Sequence, residues 1–512
     1  MGVAALIYEA RWLLTSVALA IWVALKIKQY YRLRHFKGPF GTGWFEIWHG
    51  LAYLSENSHL KFKEATDKYG PIARIGPNEL MTSSIELLTH INGARNGYTR
   101  TRWWYLVGRF VPDRDTIFSE LNEDIHNKRR AQMAGGYSGK ENHELESSVD
   151  IHVAELVQLI RTKHCSTETK TKPFDLARKT QYLALDVISH IGFGEPFGDL
   201  VTDQDVGGYI EDVDKGTRAS VYLLGFGLTE LALGTPLMHL LGRSEKAKTG
   251  FGGMTANTRR IISKRLEDDP DMSKGTDMLA SWFRHGLDKE QLITESIFQL
   301  IAGAETAATS MRSIMLYLLT HPRVYTRLQA EVDAAVKDGR AAPYPNIVSN
   351  ATQRQLPYLW ACCKEGMRMH PAVTNSSQKK VPPGGNTVMM EGKTVYLPGG
   401  TNIGYCVWGL NRDQKIFGAD ADYYRPERWL NEEDPKKLAQ MNQVHEMLFG
   451  YGKYQCLGKP IALMEIGKTI FELMRNFDWS VTNVEEPWKE TNTSGIFMTQ
   501  DFLVEATERS VS

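Results

Sequence analysis

Cysteine is scarce in this 512-residue chain. There are five, Cys165, Cys362, Cys363, Cys406 and Cys456, and none forms a CxxC pair. An odd, sparse set excludes a disulfide framework and a zinc finger. An excess of one charge is missing too, because Lys plus Arg and Asp plus Glu each total 60. That balance excludes a nucleic-acid binder held by bulk positive charge, and a disordered polyelectrolyte. Glycine (44) and proline (20) stay at ordinary levels without repeats, so collagen-like and linker-rich chains are excluded. A mean hydropathy of −0.34 excludes a polytopic membrane protein but leaves room for one anchor.

What is present begins with that anchor. Trp12 to Leu25 carries no charge, and the apolar stretch back to Val3 is broken only by Glu9 and Arg11. A bilayer takes about 20 mostly apolar residues to cross, with Trp12 and Trp22 suited to its two interfaces. Lys26, Lys28, Arg32, Arg34 and Lys37 follow the run, which keeps that flank in the cytosol. A cleaved signal peptide would place its basic residues first and end at a small-residue cleavage site. The expected division is therefore an anchor with basic flank over 1–37 and a single catalytic domain over 38–512. Sequons at Asn350, Asn375 and Asn492 would then stay on the cytosolic side.

The body is 42% hydrophobic with 10% aromatics overall, enough for a large core. Helical periodicity runs over Glu56–Tyr69, Phe118–Ala134, His143–Lys163, Phe174–Ile191, Gly250–Glu267, His321–Val336, Gln353–Met369 and Leu457–Phe477. Leu287–Leu319 is the longest, and a helix of that length should cross the molecule. Ile72–Met81 alternates around Gly76-Pro77 like a short hairpin, and Lys379–Gly404 reads as strands and turns. The fold class is mainly α with a minor β part.

Phe449 to Gly458, FGYGKYQCLG, is the most informative segment. Gly450 and Gly452 allow a tight turn with positive φ. Backbone N–H groups in such a turn, and the start of the following helix, can stabilise a thiolate at Cys456. Gly458 lets a flat cofactor lie against that helix. A buried structural cysteine in a glycine turn is the alternative, but FxxGxxxCxG arises by chance in about one in a thousand chains of this length or fewer. The segment resembles the haem-binding loop of the cytochrome P-450 family, and the resemblance extends over the whole chain. Tyr69–Leu80 and Tyr454–Ile466 resemble fungal members of specialised metabolism.

The resemblance implies a cytochrome P-450 fold with a long central helix over haem b and Cys456 as the axial ligand to iron, with Phe449, Gly450 and Gly458 around it. Ala302-Gly303-Ala304-Glu305-Thr306 matches the family's oxygen-activation motif. There Ala302 would face the haem, Thr306 would relay protons by its hydroxyl, and Glu305 would be the acid. Taken alone, these residues also fit a surface Glu beside a Thr bonded to its own helix. Glu365-Gly366-Met367-Arg368 matches ExxR, joined in the family by the arginine of a PERF-like segment, here Pro426-Glu427-Arg428-Trp429. A second ExxR, Glu472 to Arg475, reads as incidental. His126 and Arg130 lie one turn apart and would bind a propionate.

Two positions depart from the family. Tyr454 stands where Arg or His is usual, and Lys379 where Arg is frequent, so propionate neutralisation falls to His126, Arg130 and Lys379, with a phenol hydrogen bond from Tyr454. Substrate contacts are expected from Tyr98–Val111, Phe298, Ala302, Val373–Ser377 and Gly495–Met498, which suits a hydrophobic small molecule. Lys128, Arg129, Lys453 and Lys459 are expected to form a basic docking face for an acidic electron donor. The implied partner is an NADPH-cytochrome P-450 reductase, whose flavins pass electrons from NADPH. The implied location is the endoplasmic reticulum membrane, single-pass, and no nucleic acid is expected. Two other activities remain open: a P-450-fold isomerase or dehydratase that does not use O2, and a haem-binding protein without catalysis.

Overall fold

The computed structural model describes residues 3–93, 95–111, 113–235 and 249–509. The helices that frame the site and its anchor are α1 (Val3–Arg32), α2 (Glu123–Tyr137), α3 (Leu145–Leu159), α4 (Leu176–Phe193), α5 (Tyr209–Gly225), α6 (Gly250–Asp268), α7 (Lys289–Leu319), α8 (Pro357–Met369) and α9 (Lys459–Asn476). A five-stranded sheet is built from β1 (Ile72–Arg74), β2 (Glu79–Thr82), β3 (Thr99–Arg100), β4 (Asn375–Lys380) and β5 (Asn402–Cys406). Its order is β1-β2-β5-β4-β3, with β2 and β5 parallel and the other pairs antiparallel.

Helix α1 projects from the body. Trp12 is 70% exposed, and Arg11–Arg32 is the one helix among the described residues long and apolar enough to cross a membrane. The body takes hold of its end: Arg74 donates to the carbonyls of Gln29 and Tyr30, Arg32 donates to that of Gly399, and Leu33 and Phe36 are buried.

Helix α7 has 31 residues, about 46 Å of rise. Asp288 starts it with a capping box, its carboxylate accepting from Gln291 N–H while the Gln291 side chain accepts from Asp288 N–H. Its centre lies directly on α4. A Cβ at Gly303 would stand 2.8 Å from Ile188 Cγ1, so glycine here permits close approach of the two helices. The largest apolar cluster gathers around this pair, drawing on residues from Phe110 to Ala506.

The expected helices are observed, that from Phe118 starting only at Glu123, and one is interrupted; α5 and a helix over Pro435–Glu446 lie outside the expected set. The stretch expected over Gln353–Met369 divides into Asn350–Arg354 and α8, because Pro357 opens a new helix and Leu356 before it is extended.

Helix α8 carries Glu365, fully buried. Its carboxylate accepts from Arg368 Nε (2.9 Å) and Nη2 (2.8 Å), Arg428 Nε (2.8 Å), Trp429 Nε1 (2.9 Å) and Arg425 N–H (2.9 Å). Burial pushes its pKa up, but the two guanidiniums and these bonds hold it below the usual carboxylate range. The guanidiniums also donate to the carbonyls of Asn411, Phe417, Asp420, Ala421 and Tyr423. One charge cluster therefore fixes the irregular chain between β5 and the cysteine loop. Glu427 stands outside it, held by Arg323, Arg327 and the Tyr358 hydroxyl.

The second ExxR is not incidental. Glu472 and Arg475 form a buried ion pair. Glu472 also accepts from Val348 N–H, and Arg475 donates to the carbonyls of Ala342 and Asn346, tying α9 to that loop. Glu365→Gln removes the anion that neutralises two buried guanidiniums. The expected cost is about 3–5 kcal/mol, read as a lowered thermal midpoint and a poor yield of soluble chain. A midpoint within about 2 °C of the parent would reject this role for the cluster.

Candidate functional site

The cysteine loop is set by its glycines. Gly450 (φ 77°) and Gly452 (φ 63°) both lie in the left-handed region, and a Cβ on Gly450 would stand 2.9 Å from the Tyr454 carbonyl oxygen. Cys456 N–H donates to Phe449 O at 2.7 Å, which closes the loop and brings Phe449 beside the cysteine. Four of the five cysteines are buried; Cys456 alone is accessible. Burial is nonetheless the leading influence on its thiol and pushes its pKa up. Both hold because the sulfur faces an internal cleft rather than the outer surface. The N–H groups of Gly458 and Lys459 at the start of α9, and the charge of Arg130, pull the other way and favour thiolate. Gly458 has φ −77°, a value open to any residue, and a Cβ there would only reach ordinary contact with Cys456 Sγ (3.8 Å) and Tyr137 (4.0 Å). Neither backbone nor protein neighbours demand glycine, so its flat face is available to a group lying over the sulfur.

Beside the cleft lies a cluster of cations. Lys379 is fully buried and Arg100 is 5% exposed, and they stand directly opposite each other on antiparallel β4 and β3. Like charges so placed repel. Arg100 gives Nη1 to the carbonyls of Ile117 and Phe118, while its Nε and Nη2 are buried without a partner. Among the described residues Lys379 reaches Tyr105 (Oη at 3.3 Å, ring centroid at 5.2 Å) and the Tyr454 ring face (3.3 Å to the centroid). Burial, then Arg100, pulls its pKa well down. His126 is buried 5.5 Å from the Tyr454 ring, and Arg130, one turn on, acts electrostatically on Cys456. Glu123, the nearby acid, is already engaged by Tyr454 Oη (2.6 Å) and Lys453 Nζ (2.8 Å). This surplus of buried positive charge with open donors fits an anionic group such as the propionates of haem, lying over an accessible sulfur.

Sequence reasoning misses Arg100 because no local motif marks it; only its register opposite Lys379 does. Tyr454 does not offer a free hydroxyl. Its proton goes to Glu123, and its ring serves as a face for Lys379. Arg129 is turned inward to Glu295 (3.1 Å), while Lys453 and Lys459 are paired with Glu123 and Glu446. Of the expected docking set only Lys128 is both exposed and without an ion pair among the described residues.

Helix α7 presents its motif on two faces. Thr306 Oγ1 donates to Ala302 O at 2.7 Å, holding the hydroxyl to its own helix. Glu305, about 100° around, is buried rather than on the surface. It accepts from Gln181 (2.6 Å), Arg312 (2.7 Å) and Thr309 (3.4 Å). Phe298 stacks on Phe118, which meets Trp104 and Tyr105. Trp103 and Phe110 turn away, to His49 and Phe251. Asn375 is held by Thr374 and Ser58, which removes it as a free substrate contact.

A family model described as Cytochrome P450 matches residues 39–503. The chain is 34% identical over 508 residues to "Cytochrome P450 monooxygenase ABA1" of Pyricularia oryzae, covering 97% of each chain. It is 34% identical to "Cytochrome P450 monooxygenase aba1" of Botryotinia fuckeliana, over 90% of this chain and 89% of that one. It is 30% identical to "Cytochrome P450 monooxygenase abl1" of Leptosphaeria maculans, over 94% and 85%.

Burial, with the charge of Arg100, lowers the pKa of His126 from 6.5 to about 4. The unfolded chain therefore takes up this proton first as pH falls. Stability is greatest above about pH 6.5 and declines towards about pH 4. Buried His49 and His445, lowered to about 4 and about 3, act in the same direction. Urea midpoints should fall between about pH 7 and about pH 5. His126→Phe should make that fall shallower, and an unaltered slope would show that His126 is not held neutral.

Proposed function

The chain belongs to the cytochrome P450 family, and on that premise we propose that it is a membrane-anchored haem-thiolate monooxygenase. It would insert one oxygen atom from O2 into a hydrophobic small molecule in fungal secondary metabolism. Electrons would come from NADPH through a cytochrome P450 reductase. The observation that carries this reading is one accessible cysteine in a glycine loop, facing a cleft beside buried cations with unmet donors. Haem bound there supplies the oxygen chemistry of the family.

The chain's own residues then divide the work. Cys456 gives the thiolate, held by the N–H groups at the start of α9. Arg100, His126, Arg130 and Lys379 meet the carboxylates of the cofactor. Phe449, Gly450 and Gly458 shape the face beneath, and Ala302 leaves room above. Thr306 and Glu305 pass protons, the hydroxyl exchanging its bond to Ala302 O for a water when it does so. The aromatic group of Phe118, Phe298, Trp104 and Tyr105 keeps water from the substrate side. Residues 38–512 form one catalytic unit, supported by an apolar cluster that spans most of its length. Residues 1–37 form the anchor, placing that unit on the cytosolic face of the endoplasmic reticulum.

Reduced protein exposed to carbon monoxide should show the absorption band of a thiolate-ligated haem, and Cys456→Ser should lose it. A parent band at the position of an imidazole-ligated haem would overturn the assignment. Arg100→Gln and Lys379→Met should each speed haem transfer to an acceptor globin by about tenfold or more; parental rates would separate these two residues from the cofactor. Thr306→Ala, given reductase and NADPH, should divert NADPH to hydrogen peroxide, and unchanged coupling would reject the relay. Consumption of NADPH and O2 by the parent also separates a monooxygenase from an isomerase or a non-catalytic haem protein.

A further inference from the structure

Glu305 of α7 borders a cavity of about 20 Å³ between α4, α5, α6 and α7. That is room for one water. Its walls include Gln181, Tyr209, Asp214, Met254, Ile301 and Glu305. Two carboxylates therefore border one water-sized space. Glu305 is 7% exposed and hemmed in by Gln181, Thr309 and Arg312. Arg312 is itself fully buried, bonded to Ala177 O and Thr180 Oγ1. Asp214 differs: it is half-buried, and its carboxylate makes no hydrogen bond or ion pair among the described residues.

We propose that Asp214 is the solvent-side proton donor to Glu305. The O–H bond of Asp214 breaks, a water in the cavity carries the proton across, and an O–H bond forms on the Glu305 carboxylate. Asp214 then takes a replacement proton from bulk water. The proposal rests on the reading of Glu305 and Thr306 as a proton path, and extends that path to the outside.

The charges around Asp214 suit the task. Burial and the facing Glu305 raise its pKa to about 6, while Arg178 on α4, Arg218 on its own helix and Arg312 on α7 oppose them. A donor works best when its pKa lies near the working pH. The Arg312 guanidinium stands against the Glu305 carboxylate that receives the proton.

The test uses the full-length haem-loaded protein with reductase, NADPH and O2, without added substrate. Reduction of O2 to hydrogen peroxide uses one NADPH, and reduction to water uses two, so their ratio reports proton delivery. The parent should release more peroxide as pH rises through about 6. Asp214→Asn should raise the peroxide share by about threefold or more and flatten that profile, while Asp214→Glu should retain the parental behaviour. Asp214→Ser stands in if the Asn variant does not load haem, as judged by its carbon monoxide spectrum. A second readout needs no turnover: infrared titration should reveal a carboxyl near pH 6 that vanishes in Asp214→Asn and moves lower in Glu305→Gln. Parental ratios in the Asn and Ser variants, with Glu305→Gln and Thr306→Ala both shifted, would overturn the role of Asp214 alone. Parental ratios in all of them would overturn the proton path, and this proposal with it.

Discussion

Positive charge withdrawn from water without an anion to meet it is the constraint around which this structure is arranged. Arg100 and Lys379 face each other across two short strands, where like charges repel. Each buried cation carries a desolvation cost of several kcal/mol unless something compensates it. Glu123, the nearest acid, is already shared by Lys453 and Tyr454. The aromatic faces of Tyr105 and Tyr454 soften the burial of the two cations but cannot neutralise them. A chain that folds with this arrangement suits an anion from outside itself, as the haem of this family would supply.

Holding cations in such a place requires stiff supports. Strand β3 has only two residues and stays in register through β4, which is in turn paired with β5. Beyond β5 the chain runs through short helical turns at Val407–Leu410 and Gln414–Phe417 joined by loops, and there the Glu365 cluster takes over. Its two arginines satisfy five carbonyl oxygens of the segment that leads to the cysteine loop. A buried ion pair is weak evidence for stability by itself. Here the gain is positional: carbonyls that no helix or sheet would satisfy are pinned by a charge network with almost no freedom to move.

How much of this is legible in the sequence depends on range. The cysteine loop is legible because its information is local: two glycines need positive φ, and a third precedes a helix. Most helices are legible for the same reason; Pro357 divides a run that periodicity joins, and α5 and the helix over Pro435–Glu446 go unread. ExxR at Glu365 can be selected only by its order relative to Arg428. Spacing alone misjudges Glu472 and Arg475, since three-residue spacing is identical in a surface pair and a buried one. Arg100 is invisible, because its meaning comes from a strand partner far along the chain. Likewise the basic set near Cys456 looks like a face, yet Arg129 points inward to Glu295. Side-chain direction on a helix depends on which neighbour claims the residue, and sequence spacing does not record that.

Helix α7 shows why neighbouring residues can serve different sides of one site. Successive side chains leave a helix about 100° apart, so Glu305 and Thr306 cannot both face the cleft squarely. The structure gives them separate surroundings. Thr306 stays with the apolar side, its hydroxyl parked on Ala302 O. Glu305 is bound instead by Gln181 and Arg312. Close packing at Gly303 on Ile188 fixes the rotation of the helix and hence this division. Two adjacent polar residues thus take their partners from different neighbours: one from its own helix, the other from α4 and from the next turns of α7.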